Sequence, residues 1–298
     1  MATPSPRAPA APSRSIPPRV LGSLAAVYLI WSSTYLGLRY VVEVLPPLLS
    51  AGTRYLTAGL LLYAALRARG AASPTRRQWL RSLPIGGLMF LLGNGFIALA
   101  ERRVPSGLAA VACSAMPLFA CVFSLVFGER PTRREWAGVG LGFAGVVLLT
   151  LGDLRSAPAE GALLLLAPAG WAVGSVLARR ASLPAGAMSS ATLMVGGGVV
   201  TLAAGLLHGE ALPDHVPLRG ALALVYLAVF GSIVAFSAYT YLLRATTTAL
   251  ATSYAYVNPV LAVLLGAALG GERPSAGLLV PGAVVVAGVA VMATGRRG

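Results

Sequence analysis

The stretch LAAVACSAMP at residues 108–117 returns as LATSYAYVNP at residues 250–259, and this repetition decides the fold. A Gly-Glu-Arg-Pro turn follows each copy, at residues 128–131 and 271–274. The leucines and prolines of the two stretches match at a shift of 142 residues, and Trp31 matches Trp171 at a shift of 140. The chain therefore contains one structural unit twice.

The composition is that of an integral membrane protein. The chain is 57% hydrophobic and 11% charged, with a mean hydropathy of +0.78, whereas soluble domains carry about 25% charged residues. A net charge of +14 would suggest nucleic acid binding in a soluble chain. Here the basic residues are all arginines in short loops beside hydrophobic runs. We therefore expect a lipid bilayer as partner and no nucleic acid.

Hydrophobic runs of about 20 residues are long enough to cross a bilayer, and the sequence contains ten of them. They cover roughly residues 20–38, 47–66, 83–100, 105–127, 136–151, 161–178, 186–207, 220–243, 246–269 and 276–294. Each copy of the repeated unit holds five spans, an odd number, so the second copy must enter the membrane upside down. The predicted fold class is an all-α membrane protein of ten transmembrane helices in two inverted five-helix repeats.

These spans divide the chain into three parts. Residues 1–19 contain six prolines and are predicted to be a disordered cytoplasmic N-terminus, because they cannot bury enough apolar surface. The first repeat is predicted at 20–152 and the second at 161–295. With the N-terminus inside, sixteen arginines fall on the cytoplasmic side and six outside, so the positive-inside rule predicts that both termini are cytoplasmic.

Several motifs resemble the EamA family of the drug/metabolite transporter superfamily, in particular its YedA-like and YddG-like bacterial inner-membrane exporters. The resemblance rests on Trp31-Ser32-Ser33-Thr34-Tyr35, Pro46-Pro47 with Arg54, Gly93-Asn94-Gly95, residues 105–110 and residues 249–259. It implies a multi-pass protein of the bacterial inner membrane, a central cavity between the repeats, and export of amino acids or related metabolites. Where YddG-like aromatic amino acid exporters have Tyr-x-Trp, this chain has Ser114-Ala115-Met116, which disfavours a strictly aromatic substrate.

Two prolines inside spans are candidate hinges. Pro117 and Pro259 occupy equivalent positions of the two repeats. A proline inside a helix removes one backbone hydrogen bond, and in lipid the freed carbonyl must be satisfied by protein or by a watery cavity. A packing kink is the alternative interpretation, but the symmetric placement favours a hinge.

Candidate substrate-binding residues are polar and aromatic side chains near the middle of the spans. An indole N–H at mid-span needs a partner, which favours a pocket role for Trp31 and Trp171, and the family resemblance implies pocket positions for Ser114, Met116 and Trp171. The full set is Trp31, Thr34, Asn94, Ser114, Met116, Trp171, Ser175, Tyr239, Tyr254 and Asn258. Interhelical hydrogen bonding is the alternative role for the small polar members.

Arg54 is a charged residue well inside a span, and such a residue is a functional candidate. It could meet a substrate carboxylate, hold a neighbouring helix, or extend to the lipid headgroups. All nine carboxylates lie in loops or at span ends, which argues against a simple carboxylate proton relay and favours facilitated export. Glu101, near an outer mouth, keeps proton coupling open.

The function predicted from these residues is a secondary transporter that exports amino acids, aromatic ones as one option, or related small metabolites. Alternating access would proceed through a cavity lined by spans one, three, four, six, eight and nine. Export of drugs, nucleosides or sugar derivatives is the first alternative, and a non-transporting membrane helper is a weaker one. We expect no enzymatic activity, cofactor or metal, because no catalytic or metal-binding motif is present, and we take a monomer as the default.

Overall fold

The computed structural model describes residues 17–126, 158–246, 251–252 and 254–269, together with Gly271 and scattered positions between 133 and 148 and between 280 and 291. Within these residues the chain is helical and contains no strand. The helices are α1 (Pro18–Val42), α2 (Pro47–Ala68), α3 (Arg76–Gly86), α4 (Phe96–Ala100), α5 (Ser106–Cys113), α6 (Met116–Val126), α7 (Pro158–Arg180), α8 (Ala187–Leu207), α9 (Leu218–Tyr226), α10 (Ala235–Ala245) and α11 (Tyr254–Leu269).

Eight of the ten predicted spans coincide with these helices. Six helical stretches in the described part are long and apolar enough to cross a membrane. The predicted spans at 136–151 and 276–294 lie largely outside the described residues, so the count of ten stays a prediction. Residues 1–16 also lie outside them, whereas α1 begins at Pro18, inside the segment predicted to be disordered. Proline suits this position, since the first helical residue needs no hydrogen-bonded N–H.

Two spans contain a long π-helical turn that the sequence did not predict. The π segment π1 (Gly87–Gly95) joins α3 to α4, and the π segment π2 (Leu227–Val234) joins α9 to α10. The two segments are related by the same shift of 140 residues that relates Trp31 to Trp171. Such wide turns are rare and frequently occur at functional sites.

A glycine-lined seam holds α2 against α8. The close pairs run in opposite directions along the two helices: Gly52 with Leu202, Leu56 with Gly198, and Gly59 with Val195. A Cβ atom added to Gly198 would lie 2.5 Å from the backbone nitrogen of Leu56. Small residues allow this backbone approach in membranes.

A carboxylate from the second repeat caps the start of α2. The backbone N–H groups of Leu48 and Leu49 donate to the Glu210 carboxylate oxygens at 3.1 and 2.7 Å. The preceding Pro46 supplies no side-chain cap, so Glu210 satisfies orphan donors and complements the positive end of the helix dipole. At this end of the seam, a carboxylate of the second repeat is therefore hydrogen-bonded to a helix start of the first.

Two contacts between helix ends agree with α1 and α11 running parallel and with α4 and α7 running antiparallel. The Tyr40 hydroxyl, late in α1, donates to the carbonyl of Leu269 at the end of α11, at 2.8 Å. Arg103, after α4, pairs with Glu160 at the start of α7, at 3.0 Å. The outward surface carries exposed apolar side chains such as Leu29, Leu61 and Leu166, as expected for a lipid-facing surface.

The glycine seam leads to a first prediction. Gly198→Ala should destabilise the protein by about 1–3 kcal/mol, because the added methyl group overpacks against the α2 backbone. Thermal unfolding of the purified protein in detergent would show this as a lower midpoint. Gly22→Ala is the matched control, since a Cβ atom there meets nothing within 4 Å. Equal midpoints for the two variants would contradict the seam.

Candidate functional site

A cavity of about 70 Å³ lies between the repeats. Two clusters of buried apolar side chains surround it. The first contains Trp31, Trp171, Val20 and Leu243, and the second contains Leu38 and Val104. The volume leaves room for a few waters and is below the roughly 300 Å³ at which ligand pockets usually begin. In this conformation the cavity is too small for a typical ligand.

Eight residues predicted as site members share the wall of this cavity. They are Trp31, Thr34, Arg54, Asn94, Met116, Trp171, Tyr254 and Asn258. The remaining lining residues were missed: Tyr35, Leu38, Tyr55, Phe90, Gly93, Ile97, Cys113, Ala167, Pro168, Gly231 and Phe236. The second span, absent from the predicted walls, contributes both Arg54 and Tyr55.

Helical spacing would have identified several of the missed residues. Tyr35 and Leu38 lie four and seven positions after Trp31, and Phe90 and Ile97 flank Asn94 on its own helical face. Residues at these spacings share one face of a helix. Trp31 and Asn94 were therefore sufficient to predict which face of each span lines the cavity.

Each of the two symmetry-related tryptophans packs against the π segment of the opposite repeat. The Trp31 indole donates from Nε1 to the carbonyl of Gly231 in π2, at 3.1 Å. Trp171 lies against Gly93 of π1, where an added Cβ atom would be 2.8 Å from the indole Cε3. The two indoles differ in one respect: Trp171 Nε1 is buried and has no acceptor in normal hydrogen-bond geometry among the described residues, although the hydroxyls of Tyr239 and Tyr254 lie near it. A buried donor without an acceptor is costly, and this one belongs to a cavity-wall residue.

Tyr239 and Ser175 were predicted to bind substrate, but they lie behind the wall. The Tyr239 hydroxyl donates to Ser175 Oγ at 2.9 Å, and Ser175 Oγ donates to the Trp171 carbonyl at 2.7 Å. The Tyr239 ring packs on the rings of Trp31 and Trp171, with centroids 5.0 and 5.9 Å away. The polar atoms of both side chains are hydrogen-bonded within the protein, so Tyr239 and Ser175 support the aromatic wall from behind.

The helix is interrupted just before Pro117, a candidate hinge. Ser114 and Ala115 form a turn between α5 and α6, and Pro117 has no N–H with which to continue the hydrogen-bond ladder. Ser114 was predicted in the wall but is absent from it, because its hydroxyl is buried and donates to the Val111 carbonyl at 2.6 Å. Its neighbours Cys113 and Met116 line the cavity. Pro259 lies within α11, and its side chain is outside the described set.

Asn258 lies at the Met116 position of the second repeat and is 2% exposed. Its Oδ1 lies 3.0 Å from Ser32 Oγ, a hydroxyl that also lies 2.5 Å from the Tyr28 carbonyl. Its Nδ2 has no partner in the described part of the chain. One end of the amide therefore remains for a ligand.

The hydroxyl of Thr34, another wall residue, donates to the Trp31 carbonyl at 2.7 Å.

Arg54 does not extend to the membrane surface. It is 5% exposed, and its Nε donates to the Leu227 carbonyl at 3.1 Å and to Ser232 Oγ at 2.8 Å, both in π2. The guanidinium carbon lies 4.6 Å from the centroid of the Tyr55 ring. Arg54 thus places a positive charge in the cavity wall while binding a helix of the other repeat.

A second, polar pocket of about 430 Å³ lies at the ends of α1 and α4, lined by Arg39, Glu43, Arg102, Arg103, Glu101 and the adjacent Val42, Val104 and Pro105. Glu101 was predicted at a span end and is there, but its side chain is buried at 4% exposure. Among the described residues no three His, Cys, Asp or Glu side chains are grouped as for a metal ion.

One family model matches the chain twice, once in each half, and this identifies the protein family. The model of the EamA-like transporter family matches residues 20–151 and, separately, residues 160–294. The chain belongs to this family. The resemblance read from the sequence is confirmed. The EamA-like chain is a multi-pass inner-membrane transporter and not an enzyme.

Individual relatives extend this assignment. The EamA-like chain is 47% identical over 258 residues to the "Uncharacterized inner membrane transporter YedA" of Escherichia coli K12, covering 86% of this chain and 84% of the relative. It is 25% identical to a "Probable terminal-alkyne amino-acid exporter" of Streptantibioticus cattleyicolor, over 94% and 96% of the two chains. A solved crystal structure, 26% identical, superimposes with a TM-score of 0.68 over 94% of this chain and 99% of the other.

The two tryptophans provide a test of the site. Trp31→Phe should cost about 1 kcal/mol of stability through the lost hydrogen bond to Gly231. Trp171→Phe loses a similar volume of buried ring but no hydrogen bond to a backbone carbonyl, so its loss of stability should be smaller than that of Trp31→Phe, and it should weaken transport. Unfolding midpoints in detergent and flux in liposomes separate the two effects. A larger stability loss at Trp171 than at Trp31 would contradict this assignment.

Proposed function

We propose that this EamA-like transporter exports amino acids, or related small metabolites that carry a carboxylate, by alternating access through the central cavity. The observation that carries the proposal is Arg54, a buried cation in the cavity wall beside Trp31, Trp171 and Tyr254. An intramembrane arginine is rare and marks a substrate path by default. A guanidinium also matches the geometry of a carboxylate.

The rest of the wall suits an amino acid. Trp31, Trp171 and Tyr254 present aromatic surface, which attracts an ammonium group and packs against an apolar side chain. The unmatched Trp171 N–H and Asn258 amide supply hydrogen bonds. The relative from Streptantibioticus cattleyicolor is named as a probable amino-acid exporter, which supports the same substrate class here.

Alternating access supplies the volume that the small cavity lacks. We infer that the span pairs three–four and eight–nine rock about this cavity, which two inverted repeats, residues 20–152 and 161–295, enclose, with Pro117 and Pro259 as hinges. The break at Ser114 and Ala115 supports this, because a turn between two short helices bends more easily than a continuous helix. The candidate pocket would then hold substrate at Trp31, Thr34, Asn94, Met116, Trp171, Tyr254 and Asn258.

Flux measurements test this function. Proteoliposomes should transport at least one labelled amino acid, and Arg54→Gln should lower that flux by about tenfold or more, as expected for a lost hydrogen bond to a charged group. Arg244→Gln is the control, since it also loses bonds to another helix, to Pro184 and Ser189, but lies outside the cavity wall. Transport of nucleosides or sugars with no amino acid flux would favour the alternative cargo, and no flux of any solute would favour a helper protein.

We infer facilitated export without proton coupling, with both termini cytoplasmic and the monomer as the transporting unit. The contacts of Tyr40 with Leu269 and of Arg103 with Glu160 bring together helix ends that this topology places on the outer side. Reporter tags at residue 155 and at the C-terminus should therefore report opposite sides of the membrane. Tags on a common side would contradict the inverted repeat.

The buried Glu101 makes coupling directly testable. A pH gradient across the liposome should leave wild-type flux unchanged within about twofold, since no carboxylate lines the central cavity in the described residues. Acceleration by the gradient that disappears in Glu101→Gln would overturn uncoupled export and assign the proton to that carboxylate. Glu43→Gln, in the same polar pocket, is the control for a general loss of surface charge.

A further inference from the structure

We propose that Ser232 is a positioning residue that aims Arg54 into the cavity and thereby makes the cavity selective for anionic groups. This deepens the proposed function, because it names the residue on which recognition of the carboxylate depends. Ser232 lies in π2 of the second repeat, whereas Arg54 lies in α2 of the first. The two residues meet across the boundary between the repeats.

The geometry is a closed triangle of three groups. Arg54 Nε lies 2.8 Å from Ser232 Oγ and 3.1 Å from the Leu227 carbonyl. The Ser232 hydroxyl in turn donates to the same Leu227 carbonyl at 3.1 Å. The hydroxyl thus accepts from the guanidinium and donates to the backbone, so its single proton and one of its two lone pairs are used. Ser232 is fully buried, so water does not replace it.

These hydrogen bonds determine which nitrogens of the guanidinium face the cavity. The single Nε–H of Arg54 is shared between two acceptors, the Leu227 carbonyl and Ser232 Oγ. The two terminal amino groups extend beyond it, and a Cβ atom built on Gly231 would lie 2.9 Å from Nη2. Gly231 is itself a wall residue. The terminal amino groups are the edge of the guanidinium that binds a carboxylate in bidentate fashion.

The π turn is what makes this arrangement possible. In a regular helix each carbonyl accepts an N–H four residues later, whereas a π turn widens the ring to five. Leu227 and Ser232 are five residues apart, and the wide turn brings the Ser232 side chain beside the Leu227 carbonyl, whose second lone pair can accept from side-chain donors. Without the serine hydroxyl, Nε keeps one acceptor instead of two, and the guanidinium can rotate about that single bond away from the cavity.

The native cysteines allow a test that needs no knowledge of the substrate. The chain has two cysteines, and Cys113 lies in the cavity wall with Arg54. In a Cys121→Ala background, Cys113 reacts with 2-sulfonatoethyl methanethiosulfonate, an anion, or with 2-(trimethylammonium)ethyl methanethiosulfonate, a cation. The ratio of the two rates, normalised to a free thiol in solution, reports the charge in the cavity.

We expect a ratio above one in the background protein and a fall of about tenfold in Ser232→Ala, matching the fall in Arg54→Gln, because a nearby unit charge acts strongly on both reagents in a site of low dielectric. Ser232→Thr keeps the hydroxyl and should restore the ratio. Ser237→Ala is the matched control, since Ser237 Oγ is buried without a partner in the described part of the chain and should leave the ratio unchanged.

The outcomes separate this inference from the proposed function. An unchanged ratio in Ser232→Ala, or a Cys113 thiol that neither reagent reaches, overturns the positioning role. A ratio that falls as expected, in a protein that transports no amino acid, supports the role of Ser232 and rejects the amino acid substrate. A general loss of folding would slow both reagents or accelerate both, and it would not be rescued by threonine alone.

Discussion

The structure depends on backbone carbonyls of one wide helical turn that accept hydrogen bonds from side chains of the other repeat. In lipid, water is not available as a partner for polar side chains, so Arg54 and Trp31 must find acceptors within the protein. The carbonyls of Leu227 and Gly231 in π2 accept from Arg54 and Trp31, which both belong to the first repeat. The same contacts join the repeats, place the cavity, and bring a charge and an indole into its wall.

The two repeats share a fold but supply different chemistry. Trp31 has a carbonyl partner in π2, whereas the N–H of Trp171, next to π1, has none among the described residues. At the shift of 140 residues, the position of Arg54 is taken by Met194, which is buried. The cavity therefore has one charged side and one neutral side. A substrate with unlike ends can be oriented in it, although the scaffold around it is symmetric.

Sequence patterns predicted the helices and much of the wall, because hydrophobic length and the repeat are local signals. Eight predicted site residues line the cavity, and helical spacing from Trp31 and Asn94 would have added Tyr35, Leu38, Phe90 and Ile97. The π segments could not be predicted, because their residues are as apolar as those of an α-helix. Without π2, the partner of Arg54 was not visible. Tyr239 and Ser175 were misplaced because their polar groups meet each other, a contact between distant spans that no local pattern reveals.

The glycine seam between α2 and α8 also limits how the molecule can move. Their backbones touch with almost no side chain between them, so sliding one helix along the other would drive Cα atoms into backbone. Glu210 further ties the end of the pair by two hydrogen bonds. We therefore expect α2, from the first repeat, and α8, from the second, to stay together as one rigid unit. Arg54 extends from this fixed pair to π2, so its two acceptors there limit how far that wall can move from α2 while the hydrogen bonds persist.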